Sequence, residues 1–389
     1  MKILQDIRAI AYPSQIFALL PFYTRNDEDN FRLGKWGRWY GRLVALIILI
    51  SSLIFAEDVL FASKEYRLVA RAQGDTEEIN RTIETLLCIL SYTMMVLSSV
   101  QNSSRHCRTL QDIAKIDEFL VVSGFCENYS CRKLGILVTS AAFGVLSVAF
   151  YYIHYRSGIG SKKKIILLLI YSLQLLYSTI LSIYLRSILM ALSQRIAFLN
   201  QRLDSLGLQD NGNLDNWREL CNLIEVLCKF RYITENMNSV AGVALLFYFG
   251  FSFYTVTNQS YLAFATLTAN ISSSKTDVAN TIGLSCAWVL AETITMAVIC
   301  DACDCLASET NSTAQILARI YGKSKQFQNL IDKFLTKSIK QELQFTAYGF
   351  FAIDNSTLFK IFSAVTTYLV ILIQFKQLED SKVDEINQT

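Results

Sequence analysis

Five residues near the C-terminus have the types and spacing of a wet stripe: Lys360, Ser363, Thr367, Ile371 and Gln374. At 100° per residue they fall within one narrow sector of a helix. The other faces of the segment carry Leu358, Phe359, Phe362, Val365, Leu369, Val370 and Leu372. Polar side chains at membrane depth are costly unless they face a bundle interior or a water-filled cavity. The stripe therefore reads as one wall of a pore, and its chemistry is ion passage. One helix cannot enclose a channel, so several copies have to meet around an axis. The alternative is a polar seam between subunits that conducts nothing.

Covalent chemistry has little support. The chain has only two histidines, His106 and His154, and no HExxH, GxSxG or phosphate-binding glycine loop. Adjacent acids such as Glu57 and Asp58 point about 100° apart on a helix. An enzyme is not expected, and no cofactor is implied. Cys300-Asp301-Ala302-Cys303-Asp304-Cys305 lacks the second pair of ligands or the nearby histidine that a structural zinc site needs. It reads as ordinary thiols at a membrane edge, open to lipidation.

The elements that must carry these residues are membrane helices. The 389 residues are 52% hydrophobic and only 18% charged, against about 25% charged in soluble domains. The fold class expected is all-α, a polytopic membrane protein with seven spans. They fall at about 43–62, 83–101, 134–155, 165–192, 240–267, 281–302 and 357–375. Residues 1–42, polar and broken by Pro13 and Pro21, show no cleavable signal peptide. Lys and Arg are concentrated in this segment and in the even-numbered loops, which places the N-terminus in the cytosol and the C-terminus outside. The near-neutral net charge of +3, without a basic cluster, argues against nucleic-acid binding.

In this topology the sequons at Asn80, Asn270 and Asn387 lie outside and are candidate glycosylation sites, whereas those at Asn102, Asn128, Asn311 and Asn355 lie inside or within the membrane. None of the ten cysteines falls outside, so disulfides are not expected. Residues 217–232 and 314–345 carry apolar residues at helical spacing. They are read as cytosolic extensions of the spans, packing into an intracellular bundle. The Gly-, Asn- and Asp-rich stretch 203–216 is read as a mobile linker. Arg186, deep in the fourth span, is read as snorkelling or as one half of an ion pair.

A ligand pocket is expected in the outer half of spans one to six, where aromatics mix with a few polar groups. The candidates are Tyr151, Tyr152, His154 and Tyr155 on the third span and Tyr171, Gln174 and Tyr177 on the fourth. Phe253, Tyr254, Asn258 and Tyr261 follow on the fifth, and Trp288 and Glu292 on the sixth. Glu292 either binds a cationic or hydroxyl-rich ligand or pairs with a neighbour such as Gln174.

The run Thr367-Tyr368-Leu369-Val370-Ile371-Leu372-Ile373-Gln374-Phe375 resembles the Thr-Tyr, five hydrophobics, Gln-Phe signature of insect gustatory receptors. Tyr348-Gly349-Phe350-Phe351-Ala352-Ile353-Asp354 resembles that family's approach to its last helix. The resemblance implies a tastant-gated, non-selective cation channel in the plasma membrane of a gustatory neuron dendrite. The partners implied are a small-molecule tastant, membrane lipid and other subunits, as a homotetramer or a heterotetramer. It also implies that 303–356 is a cytosolic anchor region holding the subunits together, that 357–375 lines the pore, and that 376–389 is an extracellular tail. Gln374 and Phe375 then form the constriction, with Ile371 and Thr367 beneath them, and Phe375 seals by dewetting. Tyr368 sits on the flank and packs against a neighbouring span, transmitting movement. Lys360 is at odds with cation conduction unless it snorkels or ions leave sideways above it. Leu369 stands where sugar-sensing members tend to carry an acidic residue, which leans towards bitter or other non-sugar ligands. A subunit that conducts only in a heteromer and a metabotropic seven-span receptor are the alternatives.

Overall fold

The computed structural model describes residues 14–20, 23–25, 31–33, 35–60, 75–125, 162–208, 214–268, 275–320, 328, 332 and 342–388. Its elements are β1 (Tyr23–Arg25), β2 (Phe31–Leu33), α1 (Lys35–Leu60), α2 (Asp75–Gln101), α3 (Ser103–Val122), α4 (Lys162–Leu208), α5 (Leu214–Thr268), α6 (Lys275–Ile320) and α7 (Asn355–Gln388). Among the described residues the extended elements are the antiparallel pair β1–β2, which aligns Thr24 with Arg32, and an isolated bridge between Thr346 and Ala352.

Among the described residues six helices are long and apolar enough to cross a membrane: Gly37–Ile54, Thr82–Gln101, Ile170–Leu206, Arg218–Thr268, Val278–Ile320 and Asn355–Leu378. They correspond to the expected spans one, two, four, five, six and seven. The expected third span, with Tyr151, Tyr152, His154 and Tyr155, lies outside the described residues, as does Asn270.

Three helices far exceed a bilayer's thickness. α5, with 55 residues, is about 80 Å long at 1.5 Å per residue, against roughly 30 Å of hydrocarbon. α4 and α6, with 47 and 46 residues, are nearly as long. The sequence periodicity of 217–232 is thus continuous with the fifth span, burying Leu220, Ile224, Leu227 and Phe230. α2, α4, α5 and α6 form the centre of the bundle, α1 lies against α2 and α4, and α7 leans on α5 and α6. A Cβ at Gly41 would lie 2.5 Å from Val100 Cγ2, so glycine is what lets α1 approach α2 this closely.

Three expectations need correction. The loop after the second span is a helix, α3, which buries His106, Leu110, Ile113, Asp117 and Leu120. That spacing is helical, and two polar residues inside it hide the apolar stripe. The supposed linker 203–216 is mostly helix, since α4 runs to Leu208 and α5 begins at Leu214. The N-terminal segment also contributes to the core: Ala18, Leu19 and Leu20 are buried, and Ser99 donates to the carbonyl of Leu19 at 2.7 Å. Cys300 and Cys303 are fully buried, which excludes lipidation there. Ile316, Ile320 and Leu343 join the core; the apolar residues expected between 321 and 341 lie outside the described residues.

Candidate functional site

α7 begins on a tight cap. Asp354 Oδ1 accepts from the backbone N–H of Thr357 at 2.8 Å and from Ser356 Oγ at 2.7 Å. The first fills a backbone donor that a helix start leaves open, and that from Ser356 is foremost in holding the Asp354 carboxyl below the usual range, with Lys360 adding to it. Lys360 therefore has an anion close by. Asn355 donates to Asp304 at 2.7 Å, pinning the foot of α7 to α6. The approach turns back through Tyr348 and Gly349 at positive φ, which glycine adopts freely. Asn238 and Asn311 hold it from α5 and α6 through the backbone of Thr346 and Leu343.

Above this foot only 6% of the α7 span is buried in the chain. Val365 faces the core, whereas Lys360, Ser363, Thr367, Ile371, Gln374 and Phe375 all lie on the exposed side. The six expected pore residues thus share one uncovered face. Tyr368, on the flank, meets the ring of Phe253 on α5. The helix runs to Gln388, well beyond the expected end at 375, and includes Asn387.

The ligand candidates separate into two groups. In the half of the bundle away from α3 a buried polar layer joins four helices. Glu84 on α2 accepts from Asn258 at 2.6 Å and from Gln259 at 3.3 Å, with Tyr171 and Thr255 facing the same carboxyl. Ser285 donates back to Gln259 at 3.2 Å. Deeper, Glu292 accepts from Ser252 at 2.6 Å, while Gln174 donates to Ser91 at 3.2 Å. Glu292 is therefore paired with Ser252, not with Gln174. Trp288 meets Tyr171 edge to face with centroids 6.0 Å apart, and Tyr261 is buried nearby on α5. Tyr254 donates to Asn80 Oδ1 at 3.1 Å. Because Asn80 is buried, with its Nδ2 shielded, the folded chain has no room for a glycan there.

Tyr177 belongs elsewhere. It stacks on Tyr92 and takes Phe17 edge-on, so it serves the core. Glu84, which centres the layer, was readable as an acid inside an apolar span, yet its partners were not.

The other half of the bundle carries two arrangements that sequence reading missed. Arg195, 1% exposed, donates Nε and Nη2 to the two oxygens of Asp117 at 2.6 and 3.1 Å, with Phe125 against its guanidinium at 5.4 Å. This clamp joins α4 to α3. Arg186, by contrast, is half-buried and forms no ion pair with described residues. Near it His106 Nε2 pairs with the Tyr184 hydroxyl, and burial pushes the imidazole down to about 4. A cavity of about 40 Å³ adjoins the pair, lined among others by Leu19, Met95 and Met237. Among the described residues no group of three or more His, Cys, Asp or Glu converges to hold a metal.

The family model described as 7tm chemosensory receptor matches residues 7–379. The chain is 80% identical to Gustatory receptor 68a of Drosophila melanogaster over 388 residues, covering 100% of both chains. It is 35% identical to Gustatory and pheromone receptor 32a of the same species, over 98% of this chain and 87% of that one. In shape it is similar to the insect olfactory receptor OR5 from Machilis hrabei, solved in complex with eugenol. The TM-score is 0.58 at 13% identity, over 96% of this chain and 100% of that one. At that identity the likeness is one of fold.

Proposed function

The chain belongs to the gustatory receptors, within the 7tm chemosensory receptor family, and from that premise we propose that it is a subunit of a tastant-gated, non-selective cation channel. It is a receptor, not an enzyme. Four subunits, identical or mixed, place their α7 helices around one axis. The observation that carries this reading is the uncovered face of α7, where Thr367 and Gln374 lie on the same side as Ile371 and Phe375. A helix with polar groups at membrane depth needs a wet or protein neighbour there. Copies of the same face around a channel supply one.

In this arrangement Gln374 and Phe375 form the constriction near the outer mouth. The N-terminus is cytosolic, and the receptor sits in the plasma membrane of gustatory neuron dendrites. The ligand binds in the polar, aromatic layer between α2, α4, α5 and α6, and is bitter or otherwise non-sugar. Binding shifts α5, Phe253 carries the shift to Tyr368, and the α7 helices part. Asp354 beneath Lys360 offsets the positive charge that would otherwise repel cations at the inner end.

Excised membrane patches bathed in nucleotide-free solution provide the test. Agonist-evoked current is expected to persist; its loss on excision, with recovery on adding nucleotide, would instead indicate a metabotropic receptor.

A further inference from the structure

Glu292 and Glu84 are each 2% exposed, and among the described residues neither forms an ion pair with Lys, Arg or His. Seven residues of α6 separate Ser285, which reaches Glu84 through Gln259, from Glu292. That spacing places the carboxyls roughly 10 Å apart along the bundle. Cys88, one turn below Glu84, lies within electrostatic reach of both. Glu84 is well supplied with donors, whereas Glu292 is not. Its Oε2 takes the Ser252 hydroxyl, but Oε1 is fully buried without a hydrogen bond. The Tyr248 hydroxyl also faces this carboxyl.

A second, independent deficit lies on α4, one turn from Tyr171. Gln174 is completely buried; its amide nitrogen is engaged by Ser91, and its Oε1 is unpartnered. Glu292 Oε1 and Gln174 Oε1 can only accept. Among the described residues, Asn80 Nδ2, a donor without a partner, lies a turn above Glu84. Leaving a buried acceptor unmet costs about 1–3 kcal/mol, more when it is charged. A guest that satisfies this layer has to bring donors and positive charge, and Trp288 supplies the aromatic wall that favours a cation.

We infer that the ligand of this receptor is a primary or secondary ammonium compound, whose charged nitrogen donates to Glu292 Oε1 and Gln174 Oε1 with Glu84 above it. The inference rests on the ligand site assigned under the proposed function, but not on conduction.

The test uses the full chain, purified in lipid nanodiscs, and three probes of one shape: phenethylammonium, phenethyltrimethylammonium and 2-phenylethanol. Thermal unfolding at increasing probe concentration reads the affinity. Phenethylammonium is expected to raise the melting temperature saturably, and the other two to bind at least tenfold more weakly. Glu292→Gln is expected to weaken the primary ammonium at least tenfold and to leave the alcohol within twofold. Equal affinity for amine and alcohol overturns the inference, as does an amine indifferent to Glu292→Gln, or no binding of the amine at all. If Glu292→Gln does not fold, the ranking of the three probes on the unaltered chain decides alone. Amine binding without current would sink the channel reading and leave this one; current evoked by the alcohol but not the amine would do the reverse.

Discussion

The ring of Phe253 on α5 meets the ring of Tyr368 on α7 edge to face, with centroids 5.6 Å apart and planes at 81°. Ser252, the residue before Phe253, bonds Glu292, and Tyr254, the residue after it, bonds Asn80. One turn of α5 therefore touches both the buried polar layer and the helix that carries the proposed pore. Such a pair contributes about 0.5–1.5 kcal/mol beyond its buried area.

Tyr368→Ala is accordingly expected to change the open–closed balance by about two- to tenfold, from the same energy range. It should leave probe binding, measured by thermal shift, within twofold. Phe253→Ala should have the same effect, and the double variant should add little to either. Additive effects would mean that the two rings do not act as a unit.

Gln374→Ala should alter single-channel conductance or basal opening more than the half-maximal agonist concentration. A change confined to the half-maximal concentration would place Gln374 outside the constriction. Cysteines at Thr367 and Gln374 should react with water-soluble thiol reagents.

The Arg195–Asp117 clamp predicts a stability effect of a different size. Breaking a buried pair by removing one partner costs about 3–5 kcal/mol, whereas replacing both with apolar residues of similar volume is often neutral. Asp117→Leu should therefore lower the melting temperature sharply, and Asp117→Leu with Arg195→Met should recover most of it. The measurement is thermal unfolding of the detergent-purified chain.

His106 predicts a pH dependence. Its folded value of about 4 lies below the ordinary value of about 6.5, so the unfolded chain takes up the proton first. Stability is then full above about pH 6.5, falls as the pH drops towards 4, and levels off below. By linkage the loss at pH 5 is about 2 kcal/mol. His106→Gln should flatten the melting-temperature curve between pH 6.5 and 5.

An epitope tag placed after Thr389 should be reachable by antibody on intact cells. Staining only after permeabilisation would reverse the orientation drawn from the Lys and Arg of the loops.

Several parts of this architecture were legible before any coordinates. The apolar runs of α1, α2, α4, α5, α6 and α7 are long enough to declare themselves. The stripe from Lys360 to Gln374 needs only helical periodicity to appear on one face. The helix α3 was not legible, because His106 and Asp117 occupy core positions and look like loop residues until Tyr184 and Arg195 arrive to partner them. The surroundings of Tyr177 were not legible either. An aromatic near polar neighbours in sequence was turned into the core by Tyr92 and Phe17.

By itself the sequence determined which segments leave water, the polar face of the last helix, and the signature Thr367-Tyr368 to Gln374-Phe375, since these depend on residue type and spacing within one segment. Only the tertiary structure decided that Glu292 faces Ser252, that Arg195 closes on Asp117, and that Phe253 touches Tyr368. Those partners lie 40, 78 and 115 residues apart along the chain. Periodicity sets which way a side chain points on its own helix, and only packing between helices sets what it meets.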